Sequence, residues 1–185
     1  MAEFPAIKEE RGFSLAETIV ATALLGTTLV ASAHLFALSA RSNLQARTTT
    51  FASVLAQEKM EQLRGLTWGT DELGLPVNDF TTNLAVDPPT ADGTGLTPSP
   101  QNALADNVAN YVDFVNADGR TVPQEEALYV RRWSIEPLPT NPNNTLVIQV
   151  FVFKSGGRPS DGDDNFIERM PDEARLITVK TRKAP

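Results

Sequence analysis

An uncharged apolar stretch near the amino terminus constrains this chain more than any other feature of its sequence. Residues 18–40 contain no Lys, Arg, Asp or Glu, and their only titratable side chain is that of His34. A helix rises about 1.5 Å per residue, so about 20 apolar residues span the hydrocarbon core of a bilayer. One carboxylate, Glu17, stands directly before the stretch. A charge at the centre of a membrane helix costs roughly 2.5–3.5 kcal/mol, and less near its edge, so an acid here indicates a function and a partner.

The residues around Glu17 form a short motif. Gly12 is followed by Phe-Ser-Leu-Ala-Glu at residues 13–17 and then by the apolar stretch. This arrangement resembles the processing motif of type IV prepilins and type II secretion pseudopilins. The resemblance implies that a membrane-bound prepilin peptidase cuts after Gly12 and then N-methylates Phe13, the new amino terminus. It also implies that Glu17 pairs with the terminal amine of a neighbouring subunit.

The charges of the motif are consistent with that implication. Cleavage would place an ammonium group at Phe13 inside an apolar filament core, and methylation would leave it charged. Glu17 is the only acid in the segment that can neutralise it. Burying one of these charges without the other costs far more than burying the pair. Ser14 and Glu17 also fit a capping box at the start of a helix, and the two roles of Glu17 can coexist.

Two ordinary targeting segments are alternatives to the prepilin motif. Ala31-Ser32-Ala33 matches the small-residue pattern before a secretory cleavage site, and cutting there would release a chain that begins at His34. An uncleaved signal anchor is the other alternative. The secretory reading leaves an acid at the edge of the apolar stretch unexplained.

The composition limits what the rest of the chain does. The 185 residues hold 16 Lys and Arg against 23 Asp and Glu, a net charge of −7. We therefore expect no nucleic-acid binding, which needs a basic face. Cys is absent, so the disulfide loop of many major pilins is absent too. Because the sequence has no nucleophile–base pair and no phosphate-binding Gly loop, we expect neither enzyme activity nor a small-molecule substrate.

One long helix is predicted from residue 14 to residue 66, because no Pro interrupts the chain between Pro5 and Pro76. Small residues let helices approach closely. Candidates for such packing in a filament are Ala23, Gly26 and Ala33, although they are equally compatible with a lipid-facing anchor.

Beyond residue 40 the predicted helix becomes amphipathic. Apolar residues recur at roughly helical spacing with charged residues between them, Lys59 among the latter. The apolar stripe consists of Leu44, Phe51, Leu55, Leu63 and Leu66. The charged residues are expected to face water, and the second half of the chain must cover the stripe.

Residues 67–109 form a connecting segment rich in Thr, Pro, Gly, Asn and Asp. We expect it to face outward and to contain turns or one helical turn near residues 102–108, and it either contacts partners or is a tolerated insertion. Strand patterns follow at residues 111–115, 128–135, 146–153 and 176–181. Four strands joined by turns predict an antiparallel sheet that lays one face on the helix stripe.

The acidic cluster at residues 161–165 is the candidate metal site of the sequence. Asp161, Asp163 and Asn165 occupy the first, third and fifth places of a Ca²⁺-loop pattern. Phe166 replaces the required Gly, and Asp172 replaces the usual bidentate Glu. The cluster is either a weak Ca²⁺ site or a solvated turn, and no other cofactor is expected.

The predicted fold is α+β and type IV pilin-like, with a long amino-terminal helix packed against an antiparallel sheet. The predicted parts are a leader at 1–12, a membrane or filament-core helix at 13–40, its amphipathic second half at 41–66, the connecting segment at 67–109 and a β-sheet domain at 110–185.

The resemblance extends loosely to the sheet and is best to PilV-type minor pilins. It implies a minor type IV pilin that primes or modifies a pilus. Expected partners are prepilin peptidase, other pilins or pseudopilins, and the inner-membrane assembly platform. The chain would cross the inner membrane once, with a periplasmic carboxy-terminal domain, before it enters a filament. Alternatives are a minor pseudopilin of type II secretion and a membrane-anchored periplasmic binding domain that uses the connecting segment.

Overall fold

A computed structural model describes residues 12, 14–156 and 172–182. This part of the chain contains one long helix, α1 (Leu15–Gly65), one short 3-10 helix (Gln124–Glu126) and six strands. The strands are β1 (Trp68–Thr70), β2 (Pro76–Asn78), β3 (Val112–Val115), β4 (Tyr129–Pro137), β5 (Thr145–Lys154) and β6 (Ala174–Thr181). The chain divides into two compact units, Met1–Leu44 and Gln45–Pro185, which are described separately.

The first unit contains the amino-terminal part of α1. All of its described residues are exposed, including large apolar side chains such as Leu29 and Phe36. A helix satisfies its own backbone hydrogen bonds and therefore suits an environment without water. Within the described part of the chain, α1 is the one helix that is long and apolar enough to cross a membrane.

In the second unit, α1 packs through one face onto the core. The buried positions are Ala52, Leu55, Ala56, Lys59, Met60 and Leu63. The predicted stripe is therefore only partly right, because Phe51 and Leu66 are half-buried and Leu44 is exposed. The buried face is centred on Ala52 and Ala56, which are both fully buried, rather than on Phe51 and Leu66.

Strands β3 to β6 form one antiparallel sheet, as the sequence predicts, and they lie in it in chain order. The α+β layout is thus present. Strand β4 contributes Tyr129, Arg131, Trp133 and Ile135 to the helix-facing side, and β5 contributes its alternate residues from Leu146 to Val152. The opposite side carries a second cluster that includes Val130, Phe151 and Phe153. Burial on both faces explains why β5 reads as a nearly continuous apolar run.

The connecting segment is more ordered than the sequence predicts. Strands β1 and β2 form a hairpin in it, and turns at residues 100–106 are closed by bonds such as the one from the Ala103 N–H to the Pro100 carbonyl at 3.1 Å. Leu84, Leu96 and Ala103 are buried in the main core. The expectation that the segment faces outward is wrong for these three residues. One helix on one sheet leaves part of the core exposed, and these residues of the connecting segment cover it.

Candidate functional site

The start of α1 has the geometry of a capping box. The Ser14 N–H donates to Glu17 Oε2 at 3.2 Å, and the Glu17 N–H donates to Ser14 Oγ at 3.3 Å. These two bonds satisfy backbone donors that the first turn of a helix leaves without partners. The predicted cap is confirmed. It points the Glu17 carboxylate back toward the amino end of the helix, and Glu17 remains exposed.

The predicted cleavage position lies just ahead of this cap. Gly12 is exposed, and a Cβ atom built on it would meet nothing within 4 Å. None of the described residues therefore crowds Gly12 at its Cα. Phe13, the predicted methylation site, lies outside the described residues.

The three small residues proposed for helix packing are all exposed in the first unit. Gly26 and Ala33 are seven residues apart and share one face of α1, and Ala23 borders that face. A Cβ atom at Gly26 would meet nothing within 4 Å, so none of the residues that the structure describes requires a Gly there. At about 100° per residue, Glu17 and Gly26 lie on opposite faces of α1. The helix thus carries Glu17 on one face and Gly26 on the opposite face.

A buried charged cluster joins α1 to the sheet in the second unit. Lys59 Nζ is 2.8 Å from Asp113 Oδ2, and both side chains are at most 1% exposed. Arg131 binds the same carboxylate through Nε to Oδ1 at 2.8 Å and Nη2 to Oδ2 at 2.7 Å. The Lys59 ammonium also donates to the Leu84 carbonyl and lies 4.7 Å from the centre of the Trp133 ring. Sequence reasoning placed Lys59 in water, and this placement is wrong.

Two cations share one fully buried anion in this cluster. Glu58 adds a second carboxylate, 3.4 Å from Arg131 Nη1, but its side chain is 46% exposed. Burial is the main reason that the pKa of Lys59 falls from its ordinary value of 10.5 to about 8. The attraction of Asp113 raises this pKa, and the repulsion of Arg131 lowers it further. The environment therefore disfavours the Lys59 charge relative to water.

The cluster fastens the helix to two elements of the core. Asp113 comes from β3 and Arg131 from β4, where the two residues are register partners. Arg131 Nη1 also donates to the Leu55 carbonyl of α1 at 3.2 Å. A local signal for the buried lysine existed, since Lys59 follows Leu55 by four residues and precedes Leu63 by four, on one helical face. We assign the cluster a structural role.

The candidate Ca²⁺ residues Asp161, Asp163 and Asn165 lie outside the described residues, so their prediction stays untested. Among residues 12, 14–156 and 172–182, no group of three or more His, Cys, Asp or Glu side chains could hold a metal ion.

No protein-family model, no curated protein and no solved structure matches the chain. Its function is therefore inferred from the residues and their geometry alone.

Proposed function

We propose that this chain is a minor pilin, a low-copy structural subunit of a type IV pilus that is cut after Gly12 and methylated at Phe13. The observation that carries the proposal is the motif at residues 12–17, which stands directly before a helix that is long and apolar enough to cross a membrane. The exposure of Gly12 supports it, because a peptidase must reach that backbone.

The chemistry of Glu17 also supports the proposal. Before assembly its carboxylate lies in the first turn of α1, where the helix dipole stabilises an anion. After cleavage, the Phe13 ammonium of a neighbouring subunit would need a counter-ion in a site without water. Glu17 supplies it, and the capping bonds to Ser14 already hold its carboxylate toward the amino end. Pairing the two charges avoids the cost of leaving either one buried alone.

The opposite face of α1 would serve a second neighbour. Gly26, Ala33 and the bordering Ala23 present backbone rather than bulky side chains. In lipid or in a tightly packed filament core, the hydrophobic effect does not bring helices together. Their association therefore depends on close packing of this kind. A helix with one pairing acid and one small-residue face can contact subunits on both sides, as a filament requires.

Mass spectrometry of the protein from the membranes of its own cells tests the proposal. The expected mature chain begins with N-methylphenylalanine at Phe13. A Gly12→Val variant, which adds bulk at the scissile position, should retain residues 1–12 and serves as the control. An intact leader in the unaltered protein, or a chain that begins at His34, contradicts the proposal.

A processed chain would still leave the type of filament to be determined. Pilins and pseudopilins of type II secretion share the motif and the helix. Deletion separates them: loss of pili or of twitching motility with secretion intact supports the pilus. Loss of secretion with pili intact instead identifies a pseudopilin.

A further inference from the structure

The two edges of the four-stranded sheet differ in how they are covered. At the β3 edge, the Val122 N–H donates to the Phe114 carbonyl at 2.9 Å, and Thr121 forms a bridge with Val115. At the other edge, β6 is the last strand, and within the described part of the chain it pairs only with β5. An unpaired edge strand offers a row of N–H and C=O groups to another chain.

The register of the ladder shows which backbone groups of β6 face outward. The Arg182 N–H donates to the Asn144 carbonyl at 2.8 Å, in the same register as the ladder between β5 and β6. In an antiparallel ladder, residues that exchange hydrogen bonds with the neighbouring strand alternate with residues that do not. The even-numbered residues of β6 therefore bond to β5. The N–H and C=O groups of Ile177 and Val179 point away from it, and they form what is called here the open edge of β6.

The residues of the open edge also expose apolar side chains. Ile177 is 63% exposed and Val179 is 57% exposed. Leu176 packs against the main core on the helix side, so these two alternate residues lie on the opposite face of the sheet. Residues 174–181 contain no Pro that would block pairing. The open edge thus combines outward backbone groups with β-branched side chains that suit contacts across paired strands.

Cations gather at the carboxy-terminal end of β6. Residues 174–182 contain three Lys or Arg residues and no Asp or Glu. The Lys180 ammonium donates to the Arg64 carbonyl near the end of α1. Arg182 Nη1 donates to the Gly69 carbonyl of β1 at 2.6 Å. These contacts place both cations where β6 meets the end of the helix and β1.

A cleft opens at this end of the strand. Its lining includes Val179 and Lys180 of β6, strand β1, and Arg64 of α1. Glu61 is the one acid among the lining residues, and it already pairs with Arg64 at 3.0 Å. The cleft is therefore positive on balance, although the whole chain carries a net charge of −7. A carboxylate is the group that complements it.

We propose that the open edge of β6 binds an extended segment of a partner protein, which pairs with β6 as a further strand. The segment has apolar residues in alternation and an Asp or Glu at the end that reaches the cleft. Its backbone would satisfy the outward groups of Ile177 and Val179, and its carboxylate would meet Lys180 and Arg64. In strand addition, main-chain bonds give affinity and alternate side chains give specificity. The contact lies in the second unit and does not depend on cleavage after Gly12.

Two other occupants fit less well. A second copy would bring the three cations of two identical β6 strands together, and like charges on paired strands oppose pairing. Lipid would cover the apolar side chains, but hydrocarbon leaves the outward N–H and C=O groups without hydrogen bonds. An extended segment that carries an acid satisfies the backbone, the apolar side chains and the cations together.

Site-specific photo-crosslinking in the cells that make the full-length protein tests this proposal. The photoreactive residue p-benzoylphenylalanine replaces Val179 and, as a control, Leu128, which is 38% exposed and directly precedes β4, two strands away from the open edge. We expect a protein adduct from position 179 and none of the same mass from position 128. The adduct peptide should contain alternating apolar residues and an Asp or Glu.

Three variants of the position-179 protein separate backbone pairing from side-chain contact. Ile177→Pro removes an N–H that points to the open edge and leaves the bonds to β5 in place, as Pro on an edge strand can. It should lower the adduct yield about fivefold, the effect of one lost backbone hydrogen bond. Ile177→Val keeps that N–H and should leave the yield nearly unchanged. Arg64→Glu reverses a charge in the cleft and should lower the yield at least about threefold.

Several results would overturn the proposal. An unchanged yield in a folded Ile177→Pro protein, or an equal loss in Ile177→Val, contradicts backbone pairing. Urea unfolding shows whether the Pro variant folds; if it does not, Arg64→Glu and the adduct peptide decide.

The adduct itself gives further tests. No adduct from position 179, equal adducts from both positions, or an adduct with lipid, with a second copy or within the same chain would also overturn the proposal. So would an adduct peptide without an acid, or a yield that ignores Arg64→Glu. The mature amino terminus is measured in the same samples, so failure of this contact and failure of the proposed processing are seen separately.

Discussion

Removing either partner of the Lys59–Asp113 pair should have very unequal consequences for stability. In Asp113→Asn, both Lys59 and Arg131 lose the carboxylate that they share. Arg131 keeps only the half-exposed Glu58 and the Leu55 carbonyl. Removing one side of a buried ion pair typically costs about 3–5 kcal/mol, and here one substitution leaves two cations without it. We expect a loss in the free energy of unfolding at or above the upper end of that range.

For Lys59→Met, the same reasoning predicts only a small change in the free energy of unfolding. The pKa of Lys59 falls from 10.5 to about 8, and at 1.36 kcal/mol per unit its charge is disfavoured by about 3 kcal/mol relative to water. Met removes this cost and fills similar volume. It also removes the bond to the buried Leu84 carbonyl, and an unsatisfied buried group costs about 1–3 kcal/mol. The two effects nearly offset, so we expect a change within about 1 kcal/mol.

Urea unfolding of a chain that begins at Ala40 measures both variants, since we expect this chain to be a folded monomer without the apolar stretch. The control is Glu61→Gln, which breaks the exposed pair with Arg64 at 3.0 Å and should cost at most about 0.5 kcal/mol. If Lys59→Met costs as much as Asp113→Asn, the lysine charge stabilises the fold and the reasoning is wrong. A loss below about 1 kcal/mol for Asp113→Asn would show that the cluster is open to water.

Three further predictions follow from the same structure. Because the folded pKa of Lys59 lies below 10.5, the unfolded chain binds more protons between about pH 8 and 10, so the free energy of unfolding should rise with pH there; the rise should vanish in Lys59→Met. Above this window the raised pKa of Tyr129, caused mainly by burial, acts in the opposite direction. Phe51→Ala should lower the free energy of unfolding by about 2 kcal/mol, rather than by the roughly 3–5 kcal/mol of a fully buried Phe. The reason is that Phe51 is half-buried, with its ring centre 5.2 Å from that of Tyr129. Calorimetry that finds a change below about 0.5 kcal/mol, as for an ordinary surface substitution, would contradict this contact. Glu17→Gln should be cleaved normally but enter filaments poorly, because a buried ammonium without a counter-ion costs roughly 3–5 kcal/mol; Glu17→Asp should also incorporate poorly, and wild-type incorporation of the Gln variant would leave Glu17 as a helix cap only.

Local rules were enough to predict the main elements of this fold. The absence of Pro and the run of apolar residues predicted α1 to within one residue at each end, since helix formation depends on neighbours three and four positions away. The capping box followed from the identities of Ser14 and Glu17 alone. Alternating or β-branched apolar runs bounded by turn residues predicted strands at β3 to β6 and an antiparallel sheet. The motif at residues 12–17 was likewise legible without coordinates.

Tertiary structure decided which side chains the core accepts. The sequence marked Lys59 as a solvent-facing charge, but Asp113 and Arg131, on strands far along the chain, made its burial possible. Leu84 and Leu96 lie in a segment whose composition indicates loops, yet the core left open by one helix and one sheet buries them. Periodicity reports only which residues share a face. Burial of a charge depends on the partners that distant segments supply, and the chain acquires those partners only when it folds.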